Sequence, residues 1–351
     1  KDYHGVQVLS VPELDVREGE FFSLLGPSGS GKTTTLKLIA GFESLTTGKI
    51  DVDGRDVAPI PVEKRNIGVV FQNYALFPHM TVAQNIAFPL ETRRIPRKEI
   101  ARRVSETIDL VDLGPHRDKN AALLSGGQQQ RVAIGRTLVF EPSLLLMDEP
   151  LGALDRKLRH RLQDELRALQ RKLGITVIYV THDQDEAMSM SDRIAIMNHG
   201  VVEQLGEPRS LYDQPETLFV SNFLGDNNTA GATVDSSGSL RLAEGALIPA
   251  PTGGLTAGAP VSLTLRPERV RLSTDSLAGR QGTITDVVAL GAVTTYKVEV
   301  DGVGAMKANV QHSGDYFASD VGARVAVAWD AEDIHVFPDS GEPMDAGLGD
   351  E

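Results

Sequence analysis

A chain of 351 residues exceeds what one compact core holds comfortably, and its 41% hydrophobic and 24% charged residues are ordinary for a globular protein, so two folded domains are expected and disorder is excluded as the main theme. A net charge of −13 argues against nucleic acid as the main partner, and the absence of cysteine excludes disulfides and thiolate zinc sites. No apolar run is long enough to span a membrane and no export leader is visible, so a membrane role is expected to come through a partner.

Near the start, Tyr3 is an aromatic that could stack on an adenine ring, but without a phosphate loop downstream it reads more often as an ordinary surface or core tyrosine. The pattern over 6–16 suits short strands, and 48–52 followed by Asp53-Gly54 suits an antiparallel hairpin edge. Between them, 21–25 is an apolar run of the kind buried inside a parallel sheet, and 32–40 reads as a helix. The connection is Gly26-Pro27-Ser28-Gly29-Ser30-Gly31-Lys32-Thr33, which fits the spacing of a nucleotide phosphate loop. Glycines permit the backbone turns that point successive N–H groups inward, and the following helix N-terminus adds further free donors. A triphosphate satisfies this cradle, with Lys32 reaching the β and γ phosphates and the Thr33 hydroxyl on Mg²⁺.

Residues 66–71 read as another buried strand ending at Gln72, after which the texture turns helical, with Ile100, Val104, Ile108 and Val111 on one amphipathic face. Ser125-Gly126-Gly127-Gln128 then opens a helix reaching about Val139, a second anion-binding end if its amides are free; by itself a glycine pair before a helix is commonly only a turn. The apolar run 144–147 is closed by Asp148 and Glu149, so a buried strand presents two acids at the sheet edge where open α/β folds hold ligands. Beside a phosphate loop, Mg²⁺ binding and water activation are the expected uses of that pair. Leu158, Leu162, Leu166, Leu169 and Leu173 form the core stripe of a helix whose basic side is solvated surface. The strand 175–180 brings His182 to the same edge, where a catalytic histidine is expected. Beyond 225 the composition shifts to Gly, Ala, Ser and Thr with short alternating segments at 261–265, 283–288 and 296–300, a small all-β domain occupying 226–338. The last stretch, 339–351, is expected to be a disordered acidic tail.

Taken together these residues resemble the ATP-binding subunit of an ATP-binding cassette importer over essentially the whole chain: the loop at 26–33, Gln72, the 124–128 signature, Asp148-Glu149, Leu154-Asp155 and His182 stand in that family's order. The resemblance implies an α/β P-loop nucleotide-binding domain over 1–225, with a helical subdomain at about 73–140, followed by an oligomer-binding-type (TOBE) β domain around Arg266-Pro267-Glu268. The family places one more strand before Tyr3, so the first sheet edge is expected to be incomplete in this numbering. Ser30 stands where many relatives carry Cys, and Gly152 departs from a commoner serine pattern.

The resemblance further implies ATP and Mg²⁺ as cofactors and a head-to-tail homodimer that sandwiches two ATP molecules. In such a dimer Tyr3 stacks on adenine, the loop at Gly26 to Thr33 continues into Thr34 around the phosphates, and Ser125, Gly126, Gly127 and Gln128 face ATP held by the second copy. Asp155 communicates across the interface, Asp148 holds Mg²⁺ through water, Gln72 senses the metal or the water, Glu149 polarises the attacking water, and His182 contacts the γ-phosphate. Tyr74, Leu76 and Phe77 form part of a groove for a cytoplasmic helix of an integral-membrane permease, which places the chain peripherally on the cytoplasmic face of the inner membrane, with an extracytoplasmic solute-binding protein as an indirect partner. Over 73–87 and 151–180 the likeness is to spermidine/putrescine importer ATPases, with iron, sulfate, phosphonate or sugar import as alternatives. A soluble cassette ATPase acting on nucleic acid is the competing class; it calls for a coiled-coil or zinc insertion or a second cassette, and the sequence carries one phosphate loop and no Cys.

Overall fold

The computed structural model describes residues 1–152, 156–275, 277–313 and 316–339, so the expectations for Asp155 and for the tail beyond 339 lie outside the described residues. The chain divides into two units, Lys1–Leu211 and Tyr212–Glu351.

In the first unit, runs of apolar residues become strands buried on both faces: β1 (Phe21–Leu25), β2 (Ile67–Val70), β3 (Leu144–Asp148), β4 (Thr176–Thr181) and β5 (Arg193–Asn198), joined by β6 (Val201–Gly206). Among the described residues they form one sheet in the order β6-β5-β1-β4-β3-β2, parallel except for β6, which returns antiparallel to β5. The pleat sends Phe21, Leu145 and Tyr179 to one core and Phe22, Leu146 and Ile178 to the other. Register fixes the functional edge: Leu25 pairs with Thr181, Val180 with Asp148, and Met147 with Val70. The residues that follow each strand therefore emerge side by side at the carboxyl end of the sheet.

Helix α1 (Lys32–Ala40) follows β1 directly and stops at Gly41, whose φ of 90° closes it with bonds back to Leu38 and Lys37 carbonyls. Arg65, 7% exposed, completes that end by donating to the Leu38 and Ile39 carbonyls and to those of Ala58 and Ile60. Three helices, α2 (Val82–Thr92), α3 (Arg97–Leu110) and α4 (Gly126–Leu138), bury Ile86, Leu90, Val104, Ile108 and Val132 in a core of their own. Thr81 and Gln84 exchange side-chain and backbone bonds at the start of α2, which fixes its entry. Helix α5 (Arg156–Leu173) buries Leu162 and Leu166 as its periodicity predicts, but Leu173 is 41% exposed because the chain turns away at Gly174, φ 62°. No helix among the described residues is long and apolar enough to cross a membrane.

The segment 6–16 does not form the run of short strands expected of it. Only Val6–Gln7 pairs, antiparallel with Asp2–Tyr3, while Val11, Leu14 and Val16 pack on the core without a ladder partner, and Pro12 has no N–H to give one. The expected hairpin is present as Asp51–Val52 against Arg55–Asp56, turning through the positive φ of Asp53 and Gly54.

The second unit begins ahead of the composition shift at 225, because the helix Leu218–Phe223 packs onto its sheet: Ser221 Oγ lies 2.9 Å from Thr264 Oγ1, and both side chains are buried. Its described residues form two five-stranded antiparallel sheets. Along Val293–Val300 the alternation expected of a half-buried strand is complete, with Thr294, Tyr296, Val298 and Val300 inward.

Candidate active site

Between β1 and α1 the chain wraps into a cradle. Gly29 and Gly31 take φ of 82° and 102°, and a Cβ on Gly26 would meet the Met197 carbonyl oxygen at 2.2 Å, so only glycine fits there. The first turn of α1 carries no acidic residue and no capping side chain, an arrangement that suits an anion at its forward-pointing amides. Ser30 Oγ is buried among the described residues without a hydrogen-bond partner, and Lys32, 5% exposed, folds back to donate to the Gly26 and Pro27 carbonyls at 2.7 and 2.9 Å. Burial pushes the Lys32 ammonium down from its ordinary range, against the opposing pull of Glu149 and Asp148. An anion bound beside the ammonium would favour its charged form and so oppose the cost of burial.

At the neighbouring strand end Thr33 Oγ1 donates to Asp148 Oδ1 at 3.3 Å. Burial pushes the Asp148 carboxyl up, and the adjacent Glu149 adds to this, while the Thr33 bond and the ammoniums of Lys37 and Lys32 oppose it. Two hard oxygen donors converge here, which fits Mg²⁺. No group of three or more His, Cys, Asp or Glu among the described residues could hold a metal, so an ion bound here would share its coordination with phosphate oxygens and water.

Glu149 stands one residue further on, with φ 45°, a left-handed conformation unusual for its side chain, and its amide bonds to the Val180 carbonyl on β4. Its carboxylate is held from two sides: His182 Nδ1 lies 3.1 Å from Oε1, and Gln72 Nε2 donates to Oε2 at 3.3 Å. The structure thus brings together Gln72, Glu149 and His182 from three strand ends, beside the pair of Thr33 and Asp148.

Other expected residues sit apart. Ser125, Gly126, Gly127 and Gln128 form the start of α4, where a Cβ on Gly127 would press to 3.2 Å from Leu162 Cδ1. No hydrogen bond or ion pair among the described residues joins 125–128 to 26–34. Tyr3, 37% exposed, carries the Lys1 ammonium 4.6 Å above its ring. Tyr74 is a correction: it is 7% exposed and donates from Oη to the Pro150 carbonyl at 3.2 Å, so it belongs to the core and not to an open groove. Leu76 and Phe77 remain half-buried, and the Phe77 ring lies 4.5 Å from that of the exposed Phe88.

Two supports escaped the sequence reading. Arg136 of α4 donates to the Tyr74 and Ala75 carbonyls at 2.8 and 2.7 Å and so holds two successive left-handed residues just after Gln72. Behind His182, the buried Glu186 accepts from Tyr179 Oη at 2.7 Å and Thr181 Oγ1 at 2.9 Å, and Arg159 bonds to Asp183 at 2.9 Å. The Arg136 contacts and the Arg159 bond join residues far apart in the chain, so no local spacing betrays them.

Comparison with known proteins identifies the family. Residues 9–152 match the family model described as ABC transporter, and 263–337 match that of the TOBE domain. The spermidine/putrescine import ATP-binding protein PotA of Thermobifida fusca is 46% identical over 351 residues, 96% of this chain and 91% of the relative. The protein of the same name from Acidothermus cellulolyticus is 50% identical over 315 residues, covering 86% and 81%. Among solved structures, CbiO1 of Clostridium perfringens, part of the ABC transporter complex CbiONQ, is similar with a TM-score of 0.58 at 31% identity, covering 62% of this chain and 88% of that one. A dimeric ATP-binding cassette in a post-hydrolysis state with ADP and phosphate gives a TM-score of 0.50 at 35% identity, covering 56% and 88%. The chain belongs to the ATP-binding cassette transporter family, as an ATPase that carries a TOBE domain behind its nucleotide-binding domain.

Proposed function

We propose that two copies of this chain close head to tail around two ATP molecules and use their hydrolysis to drive polyamine import, of spermidine or putrescine, through separate membrane permease subunits at the cytoplasmic face of the cell membrane. The observation that carries the ATPase half of this reading is the Glu149 carboxylate, held by His182 and Gln72 at the sheet edge next to an anion cradle. The cargo rests on the names of the relatives, which match over nearly the whole chain.

Lys32 leaves its loop carbonyls to meet the β and γ phosphates, and Thr33 and Asp148 hold Mg²⁺, which neutralises phosphate charge when bound. Glu149 orients a water and takes its proton; the water oxygen bonds to the γ-phosphorus as the bond to the β-phosphate oxygen breaks, releasing ADP and phosphate. His182 steadies Glu149 through Nδ1, and Nε2, on the far side of the ring, is the atom that would meet the γ-phosphate. Gln72 adjusts with the occupancy of the site. Ser125, Gly126, Gly127 and Gln128 meet the nucleotide of the second copy, Asp155 acts across the same interface, Tyr3 stacks on the adenine, and Leu76 and Phe77 meet the permease.

Uptake of radiolabelled spermidine and putrescine by the host organism, before and after deletion of this chain, tests the proposal. Uptake lost on deletion, restored by the parent and not by Lys32→Ala, is expected. Unchanged polyamine uptake with loss of another solute's import would overturn the cargo.

A further inference from the structure

The turn that opens α4 contains a bond whose direction can be deduced. Ser125 N–H lies 3.1 Å from Gln128 Oε1. A backbone N–H only donates, so the oxygen end of the Gln128 amide is fixed toward Ser125. Its NH₂ end is then directed at His116 Nε2, 2.9 Å away. An NH₂ group also only donates, so His116 Nε2 accepts, and the ring proton of this pair resides on Nδ1. His116 ends the short turn Gly114–His116, which follows the fully buried Leu113 and contains Pro115, so the acceptor is presented from a stiff segment outside α4.

We propose that His116 is a positioning residue of the second anion-binding end: by accepting from Gln128 it locks that side chain onto Ser125 N–H and holds the amides of Gly126 and Gly127 in the geometry that meets the nucleotide of the other copy. The inference rests on the two-copy reading above. Both ends of the Gln128 amide are engaged within its own chain, so its first task is to shape the turn. Loss of the acceptor leaves the Gln128 amide held by Ser125 N–H alone, so its orientation and the turn it shapes are less firmly fixed.

The test uses full-length protein carrying Glu149→Gln, with His116→Leu or His116→Gln added; Leu removes the acceptor, and Gln supplies a carbonyl oxygen in its place. Light scattering reads dimer formation against MgATP concentration, and a fluorescent ADP analogue reads nucleotide binding by the single copy. His116→Leu is expected to raise the ATP concentration for half-dimerisation about five- to tenfold, the effect of losing about one hydrogen bond, with analogue binding unchanged, and His116→Gln to recover most of it. Equal dimerisation of the Leu variant and its parent would overturn the assignment, as would a Gln variant that is folded by circular dichroism and no better than Leu. If Glu149→Gln alone never dimerises at saturating ATP, the two-copy reading itself fails and takes this inference with it.

Discussion

His182 Nδ1 lies 3.1 Å from Glu149 Oε1, so the histidine from the end of β4 steadies the acid that follows β3 before any nucleotide is considered. The pairing explains how a glutamate held at φ 45° keeps one orientation, since Gln72 grips its other oxygen. Removing the imidazole leaves the carboxylate with one partner. His182→Ala is therefore expected to slow hydrolysis by about 10²-fold while MgATP affinity falls by less, about tenfold at most, because binding loses one phosphate contact whereas hydrolysis loses the placement of the base as well. Single-turnover hydrolysis beside equilibrium titration checks both halves.

Lys32→Ala should abolish productive binding, with MgATP affinity lowered by at least about tenfold. Its ammonium is the only side-chain cation within the cradle sequence, and charge-assisted contacts to phosphate are the strong ones. Titration of the variant with MgATP checks this, and parental affinity would contradict it.

Asp148 gives a pH-dependent signature. Its carboxyl is pushed up by burial, so the folded chain holds the proton more tightly than the unfolded chain does. That favours folding at acid pH, and the contribution is lost as pH rises through the raised folded value. Asp148→Asn, which removes the charge, should make the nucleotide-free protein more stable at pH 8, by about 2 °C given solvent screening, and the gap should close as pH falls toward the carboxylate range. Melting curves across that range check the sign; a variant less stable than the parent at pH 8 would contradict it.

Arg65 closes the end of α1 by donating to four backbone carbonyls while almost fully buried. Arg65→Met should lower stability by on the order of 3 kcal/mol, since several of those acceptors are left unsatisfied. The midpoint of urea unfolding reads this directly, without reference to activity.

The strands and the site residues at their ends were legible because each signal is local. An apolar run of five followed by Gly26, or by Asp148 and Glu149, carries its meaning within a dozen residues, and register alone then sets the ends side by side. Illegible were side-chain bonds that no periodicity or motif marks, whether their partners are near or far in the chain. Nothing near Arg136 foretells that it holds the Tyr74 and Ala75 carbonyls, and no spacing marks His116 as the partner of Gln128. Tyr74 was misplaced for the same reason: an aromatic in an exposed-looking segment turns inward because the Pro150 carbonyl waits there. Over 11–16 the apolar residues did signal burial, but burial without a ladder partner looks, in sequence, like a strand.

Hydrolysis by this chain turns most directly on Glu149. His182 and Gln72 hold its carboxylate; in the proposed reaction it takes the proton of the attacking water, and Glu149→Gln keeps its shape while removing that capacity. A positioned base contributes about 10²–10⁴ in rate, so hydrolysis should slow by that amount while the cradle and the α4 turn still bind ATP. With ATP bridging two copies and no hydrolysis to separate them, the variant should accumulate as a dimer, since a ligand that binds only the closed pair stabilises it by mass action. Size-exclusion chromatography of Glu149→Gln with and without MgATP is the measurement: the predicted result is a shift from monomer to dimer only when MgATP is present, and a variant that stays monomeric at saturating MgATP would contradict the account.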